Sequence, residues 1–287
     1  MLPVDLLLYV SLGAGFIAGR ILPHRPEWTG PATLASIFVL VGLLGASLGP
    51  VAPATLAATV PLAALLIGTI LGFTVLIAVA VSRPRPRRER NPRRLGRGWW
   101  LSPCLLATLL AGYAAGRATG WSYDPGIEYA LYLMLALVAF DLRWSREGLR
   151  RIWAPVLAAG GGAVLAGTVF TIFGLLPLRI AFAAGFGFGW YTLTGALVAA
   201  SAGASFGFLA FLTNFLRENL TMISSPWAGP VLGAEGMSAV GGATSMDTTL
   251  YFITHFADPD GGSLALATGL VLTIAASILV PLALAGG

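Results

Sequence analysis

Apolar residues fill most of this chain in long runs, and short polar stretches separate one run from the next. About 20 mostly apolar residues are needed to cross the hydrocarbon core of a bilayer. Several runs approach or exceed that length, and those between 178 and 257 are interrupted by polar residues. The predicted elements are 4–22, 32–49, 57–82, 101–119, 127–142, 152–175, 178–200, 204–225, 231–257 and 264–285. The pattern predicts an all-α polytopic transmembrane bundle of 8–10 elements, according to how many interrupted segments cross completely.

Composition supports a membrane protein. Of the 287 residues, 57% are hydrophobic and 10% are charged, whereas soluble domains carry about 25% charged residues. The 37 glycines and 18 prolines lie largely in apolar stretches, which packed transmembrane helices tolerate. Because Cys104 is the single cysteine, an internal disulfide and a cysteine-based metal cluster are excluded. We expect neither a cofactor nor a bound metal.

Arginine predicts the orientation. All seventeen basic residues are arginine, and fourteen of them lie in three places: eight in the linker 83–97, four in the loop 143–151, and Arg20 and Arg25 after the first span. Positive loops stay in the cytoplasm, so the N-terminus is predicted outside the inner membrane. The positive charge lies in short loops between apolar spans, so we do not expect nucleic-acid binding.

A short sequence motif occurs twice. Residues 12–20 read LGAGFIAGR and residues 109–117 read LLAGYAAGR. Each copy opens a three-span unit, 4–82 or 101–175, and an odd number of spans gives the two units opposite orientations. Inverted repeats are typical of secondary transporters, although small-residue patterns also recur by chance at helix interfaces. The predicted organisation is an N-terminal unit 1–82, a cytoplasmic linker 83–100, an inverted-repeat unit 101–175 and a transport core 176–287.

Two acidic residues lie inside apolar runs rather than in loops. A carboxylate at membrane depth is costly and usually marks an ion or substrate pathway, which makes Glu218 and Asp247 the candidate transport and proton-coupling residues. Asn214, Arg217, Glu218 and Thr221 share one helix face at spacings i, i+3, i+4 and i+7. Asn214 and Arg217 are therefore candidate substrate-binding residues. A structural ion pair between Arg217 and a neighbouring acid is the alternative.

The segment around Asp247 reads GGATSMDTTLYF over 241–252. Gly241 and Gly242 allow irregular backbone, and Thr244 and Ser245 supply hydroxyl groups. Broken helices of this kind expose free amides and carbonyls that bind ions or substrate groups. We expect a helix break here, with Thr244 and Ser245 contacting the substrate.

A second glycine-rich segment, 185–195, reads GFGFGWYTLTG. The alternating glycines Gly185, Gly187 and Gly189 are expected to make the backbone flexible. Trp190 and Tyr191 offer aromatic faces to an ammonium group, and with Thr194 they complete the candidate substrate-binding set. Close helix packing through glycine, with the aromatic rings at the bilayer interface, is the alternative. We predict that the two glycine-rich segments face one another around a polar cavity.

Three blocks together resemble the lysine exporter family of the LysO type: GFGWYTLTG (187–195), FLTNFLRENL (211–220) and GGATSMDTTL (241–250). The resemblance implies export of L-lysine, and of toxic analogues such as thialysine, across the inner membrane. It also implies that the family's pair of intramembrane acids falls on Glu218 and Asp247. The family is similar to cation/proton antiporter and anion transporter folds, which use inverted repeats and broken helices.

The working hypothesis is a secondary transporter that exchanges lysine for protons. A monovalent cation/proton antiporter would use the same acids without an amino-acid pocket, and a membrane enzyme acting on a lipid or peptide is the second alternative. No P-loop, HExxH or nucleophile-elbow motif requires an enzyme, so we expect a non-enzyme. The expected partners are L-lysine or a related cationic amino acid, protons or sodium, membrane lipid and a second copy in a homodimer.

Overall fold

The computed structural model describes residues 4–22, 26–81, 100–120, 124–140 and 150–285. Within these ranges the chain is helical and contains no strand. The long helices are α1 Val4–Ile21, α2 Pro26–Ser47, α3 Pro53–Val81, α4 Leu101–Thr119, α5 Asp124–Phe140, α6 Trp153–Ile172, α7 Leu178–Phe186, α8 Tyr191–Ala202, α9 Ala204–Gly241 and α10 Gly262–Ala285. Between α9 and α10 lie a 3₁₀ helix Gly242–Met246, a short turn Leu250–Phe252 and a π-helical turn Ile253–Ala257. The arginine-rich linker 83–97 and the loop residues 141–149 lie outside the described ranges.

Four helices of the described chain are long and apolar enough to cross a bilayer. They are Thr29–Ser47, Pro53–Val81, Trp153–Ile172 and Gly262–Ala285. Large apolar side chains such as Leu76 and Ile172 are 66% and 75% exposed, which suits a lipid environment and would be unfavourable in water. The prediction of a helical membrane protein is confirmed.

The chain divides into two compact units. Unit 1 contains α1, α2, α4 and α5, and unit 2 contains α3 and α6 to α10. Of the predicted three-span unit 4–82, α1 and α2 lie in unit 1 and α3 lies in unit 2. Of the predicted three-span unit 101–175, α4 and α5 lie in unit 1 and α6 lies in unit 2. The inverted relation between the three-span units stays a prediction.

Glycine brings the helices of unit 1 together. Helix α1 packs on α5, α4 packs on α2, and α2 packs on α5. At four glycines of the two repeated motifs, an added Cβ would lie 2.0–2.2 Å from a carbonyl oxygen of the neighbouring helix. These contacts are Gly15 with Ala136, Gly19 with Phe140, Gly112 with Gly42, and Gly116 with Ala46. Both copies of the repeated motif thus form close packing surfaces, because only a residue without a side chain permits this approach.

Helix α9 runs through residues 226–230, which separate two of the predicted elements. The chain stays helical through Pro226 and Pro230 and turns only at Gly233, where φ is 66° and ψ is −175°. The predicted boundary between the spans 204–225 and 231–257 was therefore placed too early. Neighbouring groups can satisfy the carbonyls that proline leaves unpaired in a membrane helix, so these prolines do not end it. The predicted span 178–200 is divided into α7 and α8.

Candidate functional site

The first break lies between α7 and α8, at residues 187–190. Phe188 has φ 50° and Gly189 has φ 104°, values that a right-handed helix does not allow. Gly187 is required by close approach, since an added Cβ would lie 2.3 Å from Thr194 Oγ1 and 2.6 Å from Asn214 Nδ2. The chain resumes as a helix at Tyr191.

Asn214 holds the first break from α9. Its Oδ1 accepts a hydrogen bond from the Gly189 N–H at 2.7 Å. Its Nδ2 donates to the carbonyls of Ala184 and Ala210, both at 2.9 Å. The bonds to Gly189 and Ala184 satisfy backbone groups that the interrupted helix leaves without partners, whereas Ala210 belongs to α9 itself. Both the oxygen and the nitrogen of the Asn214 side-chain amide thus form hydrogen bonds with backbone groups.

The second break covers residues 242–249, after α9. Gly242 has φ 69° and ψ −129°, and Asp247 has φ −130° and ψ −101°. The Thr244 hydroxyl donates to the Gly241 carbonyl at 3.0 Å. The Ser245 hydroxyl lies 2.7 Å from the Gly242 carbonyl and 2.8 Å from the Ala265 carbonyl. Both predicted hydroxyl residues therefore bond to backbone, and Ser245 joins this segment to α10.

The two breaks touch one another. The Ala243 N–H donates to the Phe188 carbonyl at 2.8 Å. A Cβ on Gly242 would lie 2.2 Å from the same oxygen, and one on Gly189 would lie 3.1 Å from Thr244 Cγ2. Glycine therefore allows the two interrupted backbones to meet. Trp190, at the end of the first break, packs against the apolar cluster that contains Phe188 and Ala243.

Arg217 is buried beside the second break and is 1% exposed. Its Nε donates to the Val240 carbonyl at 2.9 Å, and its Nη2 donates to the Ala239 carbonyl at 2.8 Å. The guanidinium carbon lies 5.9 Å from the centroid of the Phe188 ring. The last carbonyls of a helix lack partners and carry partial negative charge, so Arg217 caps the end of α9. No acidic partner pairs with Arg217 in the described part of the chain.

Glu218 and Asp247 both interact with Thr248. Glu218 is 1% exposed, and Asp247 is half-buried. Asp247 Oδ1 accepts hydrogen bonds from the Thr248 N–H and from the Thr248 hydroxyl, the latter at 3.2 Å. The Thr248 side chain also interacts with Glu218, and the two carboxyl groups interact electrostatically. The Glu218 Oε1 atom is buried without a partner among the described residues, so it is available to a cation or a proton.

Aromatic rings border this acid pair. The half-buried Tyr191 ring packs edge-on against Phe211 at 5.2 Å and Phe215 at 5.8 Å between centroids. Tyr191 interacts electrostatically with both Glu218 and Asp247. Phe211, Phe215 and Glu218 lie at i, i+4 and i+7 on α9 and so share one helix face. Sequence reasoning missed the two phenylalanines, although the spacing in FLTNFLRE contained the signal.

The family assignment rests on a sequence profile described as "Lysine exporter LysO", which matches residues 103–284. The chain belongs to the LysO lysine exporter family. The lysine exporter LysO of Escherichia coli (strain K12) is 30% identical over 213 residues, which are 69% of each chain. A Haemophilus influenzae protein named "Putative lysine exporter" is 23% identical over 182 residues, 59% of this chain and 93% of the relative. No solved structure matches the chain.

All the predicted site residues of this LysO-family protein lie inside the matched region. The structure brings Tyr191, Glu218 and Asp247 together, and it places Asn214 and Arg217 on the backbone at the two breaks. The Thr194 hydroxyl donates to the Trp190 carbonyl at 2.7 Å, beside the first break. No group of three or more His, Cys, Asp and Glu side chains suited to a metal occurs in the ranges the structure covers.

The predicted flexible glycines of the LysO-family protein divide between two roles. Gly187, Gly189 and Gly242 lie at the breaks. Gly185 is inside α7, where an added Cβ would lie 3.2 Å from the Ala163 Cβ, and Gly241 ends α9 beside the Thr249 hydroxyl. Gly185 thus serves helix packing rather than the break itself.

Proposed function

We propose that this protein exports L-lysine, and cationic analogues such as thialysine, in exchange for protons that bind Glu218 and Asp247. The observation that carries the proposal is the buried acid pair, which shares Thr248 and leaves Glu218 Oε1 without a partner in the described chain. Its position beside two interrupted helices is typical of transporter sites. Membership of the lysine exporter family supports the substrate class.

The exchange follows from the electrostatics of the membrane. Carrying one net positive charge outward against 100 mV costs about 2.3 kcal/mol, and moving one proton inward cancels that cost. A buried carboxylate suits this task because its charged form attracts an ammonium group, and its protonated form is less costly to keep away from water. The Thr248 hydroxyl can donate to whichever carboxyl group is charged.

The aromatic border favours an organic cation. Tyr191 and Phe211 are half-buried, and aromatic faces attract alkylammonium groups at about 0.5–2 kcal/mol per contact. They also provide apolar surface for the methylene groups of a lysine side chain. A site for a small inorganic ion needs oxygen ligands instead, so these rings support amino-acid export over monovalent cation antiport.

The proposed location is the inner membrane, with the N-terminus outside and the arginine-rich loops in the cytoplasm. The support is the arginine distribution, which follows the positive-inside rule. At residue 90, we expect activity from a fused reporter that works only in the cytoplasm and none from a reporter that works only outside the membrane. Activity of an external reporter at that position would contradict the orientation.

The central test uses Glu218→Gln and Asp247→Asn in proteoliposomes that contain labelled lysine. Each amide keeps the side-chain shape but loses the charge and the exchangeable proton, so efflux driven by a pH gradient is expected to fall at least about a hundredfold. That loss corresponds to about 2.7 kcal/mol at 1.36 kcal/mol per factor of ten.

The matched control is Asp260→Asn, which removes an exposed carboxylate and should leave efflux unchanged. Wild-type efflux from a correctly inserted Glu218→Gln or Asp247→Asn protein would refute the role of that acid. Sodium or potassium exchange without lysine efflux would favour the cation antiporter, and conversion of a lipid or peptide would favour an enzyme.

A further inference from the structure

The transport region contains three charged side chains that are wholly or largely withdrawn from solvent. Arg217 and Glu218 are the fully buried charged residues of the described chain, and Asp247 is half-buried beside Glu218. The set carries two negative charges and one positive charge. Lysine at neutral pH carries the opposite set, two ammonium groups and one carboxylate. In sign and number, the charges of these three groups therefore match those of the whole amino acid and not only that of its side chain.

The guanidinium of Arg217 has N–H donors that bond to no acceptor among the described residues. A guanidinium group carries five N–H donors in a fixed plane. Nε and Nη2 donate to the carbonyls of Val240 and Ala239, while Nη1 makes no hydrogen bond within the described residues. The two carbonyl contacts fix the plane of the group, so Nη1 is held in one direction. Asn214 differs, because both ends of its amide are engaged with backbone.

The surroundings of Arg217 favour an anionic partner. A buried charge without an ionic partner costs several kcal/mol of desolvation, and the helix-end carbonyls offset only part of that cost. The glycines of the two breaks lie close against the Arg217 side chain, so a Cβ at either position would contact it. A Cβ on Gly242 would lie 3.1 Å from the guanidinium carbon, and one on Gly189 would lie 3.8 Å from Arg217 Cδ.

We propose that Arg217 binds the α-carboxylate of the exported amino acid, while Glu218 and Asp247 bind its two ammonium groups. This assignment rests on the proposed function and specifies how the same site recognises its substrate. Arginine is suited to a carboxylate because its planar donors match the two oxygens. The site then selects a diamino acid. It discriminates against lysinamide and cadaverine, which lack the carboxylate, and against norleucine, which lacks the second ammonium.

The test is competition against labelled lysine in proteoliposomes, at mildly acidic pH where both amines of lysinamide are protonated. The measured quantity is the ratio of the half-inhibiting concentrations of lysinamide and lysine. In the wild type, lysine should compete at least about tenfold better, because a site built to bind a polar group rejects an analogue without it. In Arg217→Gln the ratio should fall to about one, and in Arg217→Lys it should be intermediate. Arg179→Gln, which changes a half-buried arginine of α7, should keep the wild-type ratio.

A ratio is insensitive to the amount of folded protein, so a partial loss of insertion does not affect the result. Equal competition by lysinamide and lysine in the wild type would overturn the proposal, even if no Arg217 variant inserts. A wild-type ratio in Arg217→Gln or Arg217→Lys would also overturn it and leave Arg217 as a helix cap alone. Absence of lysine efflux from the wild type would instead refute the proposed function, so the two failures are distinguishable.

Discussion

Glycine packs helices together in both units, but in unit 2 it also forms the helix breaks. In unit 1, Gly112 and Gly116 lie in a regular helix and bring α4 against the backbone of α2. In unit 2, Gly189 and Gly242 have positive φ and interrupt helices. The first use removes space between backbones, and the second frees backbone groups for new partners. The abundance of glycine in a membrane protein therefore does not by itself indicate a site, whereas its backbone conformation does.

Buried polar groups show the same contrast. In unit 1, the hydroxyls of Thr33 and Ser36 donate to carbonyls of their own helix, which is the usual way to bury such a group. In unit 2, Asn214 bonds to α7 and to the first break, and Arg217 bonds to the end of α9 beyond the turn at Gly233. Glu218 Oε1 has no partner in the described chain. The buried hydroxyls of unit 1 are thus satisfied within their own helix, whereas unit 2 buries polar atoms around its breaks at a cost in free energy.

The strongest challenge to this contrast is Gly242→Ala. At φ 69° a Cβ costs about 1–2 kcal/mol, and this one would also lie 2.2 Å from the Phe188 carbonyl. We expect the contact between the breaks to be lost and lysine efflux to fall more than about tenfold. Gly174→Ala is the matched control, since Gly174 has φ 67° but nothing within 4 Å. Equal effects of the two substitutions would mean that backbone strain alone, and not the contact between the two breaks, determines the loss of efflux.

A second effect is expected from Asn214→Ala. The substitution leaves the Gly189 N–H and the Ala184 carbonyl without their present partner, at about 1–3 kcal/mol for each buried group. Both efflux and the melting temperature in detergent should fall. Asn219→Ala is the comparison, because Asn219 is also buried but its side-chain bond to the Phe215 carbonyl lies within its own helix. A melting temperature for Asn214→Ala as high as that of Asn219→Ala would argue against Asn214 as the holder of the first break.

In unit 1 we expect glycine substitution to affect stability more than transport. Gly112→Ala would place a Cβ 2.0 Å from the Gly42 carbonyl, and overpacking of this kind costs about 1–3 kcal/mol. The melting temperature should fall while the half-saturating lysine concentration stays at the wild-type value. Gly13→Ala, with nothing within 4 Å, should change neither. A large shift in half-saturation for Gly112→Ala would contradict the division of roles.

The smallest effect should come from the ion pair between Arg151 and Glu235. The two groups are 3.4 Å apart, with side chains 29% and 12% exposed, and partly exposed pairs contribute about 0–1 kcal/mol. A double-mutant cycle of Arg151→Ala and Glu235→Ala, measured by thermal unfolding, should give a coupling within that range. A larger coupling, or loss of efflux in either single variant, would extend the functional part of unit 2 to this pair.

Sequence reasoning reached the helical membrane fold because apolar run length alone determines it. It also selected Glu218 and Asp247 before any geometry was considered, because charged residues in apolar runs are rare. It did not locate the turn of α9 at Gly233, since proline at 226 and 230 resembles a loop signal unless neighbouring groups satisfy the helix. The backbone contacts of Asn214 and Arg217 were also out of reach, because they depend on which segments meet in three dimensions. Phe211 and Phe215 were overlooked because aromatic residues at helical spacing usually indicate an ordinary core.

One consequence of α9 concerns insertions and deletions. Asn214 holds the first break, Arg217 holds the second, and Glu218 carries a carboxylate, all within five consecutive positions. One residue added to a helix rotates everything before it by about 100° relative to everything after it. An insertion between 214 and 217 would therefore detach one break from α9 while the other stayed in place. Natural relatives and engineered variants can differ in the side chains that line the site, but the spacing of these three residues should tolerate no change in length.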